Sequence, residues 1–204
     1  MKPRNILTLP GWQGSPPAHW QSRWEHLYGY TRVEEHDWQR PLRGDWMARL
    51  EEVLLACDEP AVLVAHSLGC LQVAAWASHS RNTQRVRAAL LVAPPDTERE
   101  DLRALLPSWS PVPLPALPFQ SLVVASSNDP YCTPERTRQF AGAWGAALIE
   151  AGAHGHLNAE SALGDWPQAH EHLLQLIRAT SSLPSSSLPS SSLPPPGQAG
   201  PSLL

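Results

Sequence analysis

The sequence predicts an α/β protein: a doubly wound, mostly parallel sheet in three layers, with helices on both faces. Three observations carry this expectation. Short apolar runs with no polar face, such as Ala61-Val62-Leu63-Val64-Ala65, read as strands buried on both sides. Between them lie stretches whose apolar residues recur at helical spacing. The two types alternate along residues 1–179, the order that lays crossover helices over a parallel sheet.

Taken in order, Ile6-Leu7-Thr8-Leu9 reads as the first strand, stopped by Pro10-Gly11. Trp20, Trp24 and Leu27 mark the first helix. A short strand is expected around Val33. Asp45 is placed to cap the next helix, whose apolar face carries Met47, Leu50, Val53, Leu54 and Cys57. The strand at 61–65 follows, and Leu68, Leu71, Gln72, Ala75 and Trp76 then fall at helical spacing. Further strands are expected at 88–93, 122–125 and 147–149, and helices at 133–143 and 170–177. Residues 102–118, broken by Pro107, Pro111, Pro113, Pro115 and Pro118, read as a long irregular loop of the kind that forms a lid or pocket wall. The nine tryptophans read chiefly as packing, with Trp12 and Trp38 placed to shape a pocket.

From Ser181 the chain repeats SSLPS-SSLPS-SSLPP and ends PGQAGPSLL. Recurrent proline removes backbone donors and blocks helix, while serine adds no core-forming face. Residues 180–204 are therefore expected to be a disordered tail outside a single domain at 1–179. A net charge of −4 gives no basic field for nucleic acid and no polybasic patch for a membrane surface. No stretch approaches the roughly 18 apolar residues of a spanning helix, and the first residues lack the apolar core of a signal peptide. Cys57, Cys70 and Cys132 show no metal-ligand spacing. A soluble, cytoplasmic protein is expected.

The chemistry centres on AVLVAHSLGCL, residues 61–71. Ser67 falls at the junction of strand and helix, where a tight turn would project its Oγ toward a substrate. As a bare helix cap it would need no partners. In a doubly wound sheet reactive groups gather beyond the carboxyl ends of the strands. Asp129 follows the strand at 122–125, while Asp96 and Asp101 follow the preceding one. His154 and His156 both follow the last strand. Serine, then aspartate, then histidine, each on its own post-strand loop, is the order of the α/β-hydrolase triad. The elbow departs from G-x-S-x-G in having Ala65 at the first glycine, a position that needs a small side chain, and Gly69 keeps the second. His156 runs directly into Leu157-Asn158 and a helix-like Ala-Glu-Ser, which would seat it at the inner end of its loop.

The set PGWQGS (10–15), HDWQRP (36–41), AHSLGC (65–70), SSNDPY (126–131) and GHLNAES (155–161) resembles the retinoblastoma-binding protein nine/YdeN family of small serine hydrolases, from about Ile6 to about Ile177. The resemblance implies a compact α/β-hydrolase domain with Ser67 as nucleophile, Asp129 as acid and His156 as base. It implies no defined physiological substrate.

The reaction expected from these residues is acyl transfer to water on a small ester or amide. The backbone N–H groups of Leu68 and Trp12 would hold the oxyanion, with Gln13 the alternative to Trp12. No cofactor is expected. No metal is expected either: His154-x-His156 with Asp129 could begin a ligand set, but no third histidine has matching spacing. His66 should pack or bond locally. Leu55-Ala56-Cys57-Asp58-Glu59 matches L-x-C-x-E, the motif of retinoblastoma-type pocket-protein ligands. It reads here as the end of an apolar helical face covering the sheet, so pocket-protein binding through residues 55–59 is not expected. The competing reading is a non-catalytic binding or scaffold protein that keeps the hydrolase shell.

Overall fold

The computed structural model describes residues 5–181, so nearly all of the expected tail, residues 182–204, lies outside the described residues. Strands β1 (Ile6–Leu9), β2 (Thr31–Arg32), β3 (Ala61–His66), β4 (Val86–Val92), β5 (Gln120–Ala125) and β6 (Ala147–Glu150) form one sheet in the order β2-β1-β3-β4-β5-β6. Every neighbouring pair is parallel. The helices are α1 (Trp20–Tyr28), α2 (Arg43–Ala56), α3 (Leu68–His79), α4 (Glu100–Leu105), α5 (Pro134–Trp144) and α6 (Pro167–Ser181).

The unbroken apolar runs of β3 and β4 are explained by cover on both sides. Leu63, Ala65, Leu91 and Val123 face one layer with α2, α3 and α5. Val62, Val64, Leu90 and Val124 face the other, where Trp20 and Trp24 of α1 meet Leu173 and Ile177 of α6. Side chains alternate across a strand, so a strand in the middle layer must be apolar at every position. Trp20, Trp24, Trp46, Trp76, Trp109 and Trp144 are fully buried in these layers.

Three local expectations are corrected, and the boundary of the short strand shifts by a residue. Asp45 does not cap α2, because the chain is already helical at Arg43 and the cap position is Leu42, whose side chain makes no capping bond. One of the orphan donors of the first turn is met from afar: Arg43 N–H donates to Ser108 Oγ at 3.3 Å. β2 ends at Arg32, just before Val33, although Val33 N–H still donates to Thr8 O at 2.9 Å. Leu27 is half exposed and borders a surface groove beside Arg32 and Glu34 rather than the core. Leu55 does not cover the sheet either. It is 47% exposed at the end of α2, whose buried residues are Trp46, Leu50 and Leu54.

The stretch 102–118 is not one irregular loop. It contains the second half of α4 and a 3-10 turn, Pro107–Trp109. Buried Trp109 anchors that turn through its indole N–H, which donates to Pro41 O at 2.8 Å.

Glu35 is buried beneath α2 and α3. Its Oε1 accepts from Gln72 Nε2 at 2.7 Å, and its Oε2 is buried without a partner among the described residues. Burial raises the carboxyl to about 7; the Gln72 bond and Arg49 oppose this and Glu34 adds to it. A raised carboxyl favours the protonated folded state. Its contribution is present at low pH and is lost as pH climbs from the ordinary carboxylate range to about 7. Relative to Glu35→Gln, the wild type should lose stability across that interval, on the order of 3 kcal/mol at most. Thermal melts of both proteins from pH 4.5 to 7.5 check this; parallel curves would overturn it.

Candidate active site

Ser67 sits between β3 and α3 with φ 54° and ψ −122°, and its side chain makes no capping bond. A non-glycine residue in that region costs about 1–3 kcal/mol, so the surroundings must hold it there. They do so by close backbone approach. A Cβ on Gly69 would lie 2.3 Å from Leu9 O, and one on Gly11 would lie 2.7 Å from Ser67 Cβ. Ser67 N–H also donates to Val92 O at 2.9 Å. Ala65 stands fully buried where the elbow motif has its first glycine.

The structure brings Ser67, His156 and Asp129 together from three post-strand loops. Ser67 Oγ lies 2.8 Å from His156 Nε2. His156 Nδ1 lies 2.9 Å from Asp129 Oδ2 and 3.0 Å from Oδ1. Asp129 Oδ1 also accepts the Tyr131 N–H at 2.9 Å, which fixes the carboxylate. The Tyr131 ring stands edge-on to His156, with centroids 4.5 Å apart. The other candidates lie elsewhere. Asp96 pairs with Arg136 at 3.3 Å, Asp101 pairs with Arg99 at 2.7 Å, and the His154 side chain is exposed.

The expected oxyanion donors border the same cavity, which has a volume of about 590 Å³. Among the described residues neither Trp12 N–H nor Leu68 N–H has an acceptor, whereas Gln13 N–H is taken by Trp38 O at 3.1 Å. Leu68 opens α3, and first-turn amides of a helix carry partial positive charge. Among the described residues no group of three or more His, Cys, Asp or Glu is placed to hold a metal ion.

Sequence reasoning missed the residues that hold the His156 loop. His66 is buried at the end of β3, packs against His19 and His156, and its Nε2–H donates to His156 O at 2.9 Å, a partner 90 residues away in sequence. Trp20 Nε1–H donates to Leu157 O at 2.8 Å. On the other side, Asn128 Oδ1 accepts Gly155 N–H at 2.7 Å and Ser126 Oγ accepts His154 N–H at 2.9 Å. The signal present was Ser-Ser-Asn immediately before Asp129, short polar side chains suited to bonding backbone. Asn158 caps the next turn, Ala159–Ser161, with a capping box.

Burial keeps the neighbouring imidazoles neutral. It lowers His66 well below its ordinary range, with His19 and His156 adding to the effect. It lowers His19 to about 3, helped by Arg32 and His156. His19 Nδ1 accepts the Gln21 N–H at 3.1 Å at the start of α1, a cap that only a neutral ring can supply. A positive charge on the His156 ring would therefore not face two standing cations.

Residues 6–175 match the family model described as serine hydrolase. Among solved structures the chain is similar to a YdeN-like hydrolase from Pectobacterium atrosepticum, at 26% identity and TM-score 0.77 over 86% of this chain and 91% of that one. It is similar in fold to the ydeN gene product of Bacillus subtilis, at 19% identity and TM-score 0.68 over 86% and 99% of the two chains. A thermophilic esterase from Thermogutta terrifontis shares the fold at 15% identity and TM-score 0.61, over 86% of this chain and 89% of that one. No curated protein sequence matches.

Proposed function

The chain belongs to the serine hydrolase family, and from that premise we propose that it cleaves a small carboxylic ester or amide through an acyl-enzyme, with Ser67 as nucleophile, His156 as base and Asp129 as the residue that orients the base. Family membership favours an enzyme over the competing scaffold reading. The observation that supports the finer assignment is the hydrogen-bonded line from Asp129 through His156 to Ser67 Oγ.

In this mechanism His156 Nε2 takes the Ser67 proton as Oγ attacks the carbonyl carbon. Asp129 keeps the proton on Nδ1, leaving Nε2 free as the acceptor. The tetrahedral oxyanion is held by the unpaired Leu68 and Trp12 N–H groups. His156 then hands its proton to the leaving group, and water repeats the sequence on the acyl-enzyme. No step calls for a metal or cofactor.

The proposed partner is the small-molecule substrate alone, met in the cytoplasm, with no nucleic acid or membrane surface. Among the described residues no helix is long and apolar enough to cross a membrane. Pocket-protein binding through residues 55–59 stays outside the proposal, because α2 is helical through Ala56 and that motif needs an extended segment.

The test is labelling with a fluorophosphonate and mapping of the adduct by mass spectrometry. An adduct on Ser67 supports the reading; no adduct, or one on another residue, overturns it.

A further inference from the structure

α4 and the residue that follows it line the cavity that holds Ser67. Leu102, Leu105 and Leu106 all border that cavity. Leu102 and Leu106 are buried, but Leu105 is 61% exposed. A single exposed leucine is ordinary on a protein surface. Here the three leucines make residues 102–106 an apolar strip of the cavity lining, and Pro95, Pro16 and Trp12 line the same cavity.

Gln13 and His19 add polar groups to the lining, and the rest of its polar part lies near His156. Asn158 and Glu160 follow His156 on its own loop. The leaving group must meet His156 Nε2 to receive its proton, so it lies against that loop. The acyl chain departs from the carbonyl carbon in another direction, and the leucines at 102–106 offer it apolar surface.

That strip is a fixed wall. Thr97 Oγ1 donates to Trp109 O at 2.8 Å, and Glu98 Oε1 accepts Val112 N–H at 3.0 Å. Arg99 Nη1 donates to Pro130 O at 2.5 Å, and Arg136 ion-pairs with both Asp96 and Glu98. The wall exists before substrate arrives, so binding need not order it.

We propose that the substrate is an ester of an apolar, medium-chain carboxylic acid whose acyl chain lies along the α4 leucines, with Leu105 setting the chain-length preference. This deepens the serine-hydrolase reading and rests on it.

The experiment compares kcat/KM for p-nitrophenyl octanoate and p-nitrophenyl acetate. The wild type should favour octanoate by about tenfold or more, since each buried methylene adds to binding in an apolar site. Leu105→Gln should lower the octanoate-to-acetate ratio by about tenfold, while Leu55→Gln, an exposed leucine on the remote end of α2, should leave it unchanged. An acetate-preferring wild type, or a ratio untouched by Leu105→Gln, overturns the proposal while Ser67-dependent acetate hydrolysis preserves the reading beneath it. Absence of Ser67-dependent hydrolysis of either ester overturns both.

Discussion

Ser67→Ala is expected to lower kcat for ester hydrolysis by about 10⁴-fold or more and to abolish fluorophosphonate labelling. The size follows from the proposed route: without Oγ there is no acyl-enzyme, and only the oxyanion donors and substrate binding remain to accelerate attack by water. The fold should survive. Ser67 Oγ caps no backbone donor, and its partner is the His156 ring. The strained φ belongs to the backbone and is held by Gly11 and Gly69, which the substitution leaves in place. Circular dichroism and melting temperature should match the wild type, which makes the kinetic loss interpretable. Hydrolysis within about tenfold of wild type in a folded Ser67→Ala would remove Ser67 from the mechanism.

The second large effect separates two histidines two positions apart. His156→Ala should cost about 10⁴-fold in kcat, and His154→Ala less than about tenfold, with both proteins folded. What His154 contributes to the loop comes from its backbone: its N–H donates to Ser126 Oγ and its carbonyl accepts Ser161 Oγ–H at 2.5 Å. Both bonds persist when the side chain is removed. His156 contributes both ring nitrogens to the line between Asp129 and Ser67. Reversed losses would make His154 the base.

Much of the fold was legible because β3, β4 and β5 are apolar at consecutive positions, a pattern that a surface strand could not tolerate. The residues brought to one point were legible for a related reason. Post-strand loops of a parallel sheet converge at one edge, so Ser67, Asp129 and His156 needed only to follow their strands. What stayed hidden depends on distant chain. The start of α2 at Arg43 is supported by Ser108, a partner that the local rule favouring Asp45 as the cap does not see. α4 was masked by prolines downstream of it, and three leucines over barely a turn give too little periodicity to outweigh them. His66 reaches a carbonyl on the His156 loop, and no spacing near residue 66 announces that partner.

The grip on the His156 loop governs how the protein breathes. Its carbonyls at 156 and 157 are held by the end of β3 and by α1, and its amides at 154 and 155 by the turn after β5. Fluctuations that freed the loop would have to detach it from three separately packed segments at once. Amide exchange in this loop should therefore track the cooperative opening of the sheet rather than local fraying. On heating, loss of activity and loss of the fold should then coincide, a result that parallel activity and circular-dichroism melts would show.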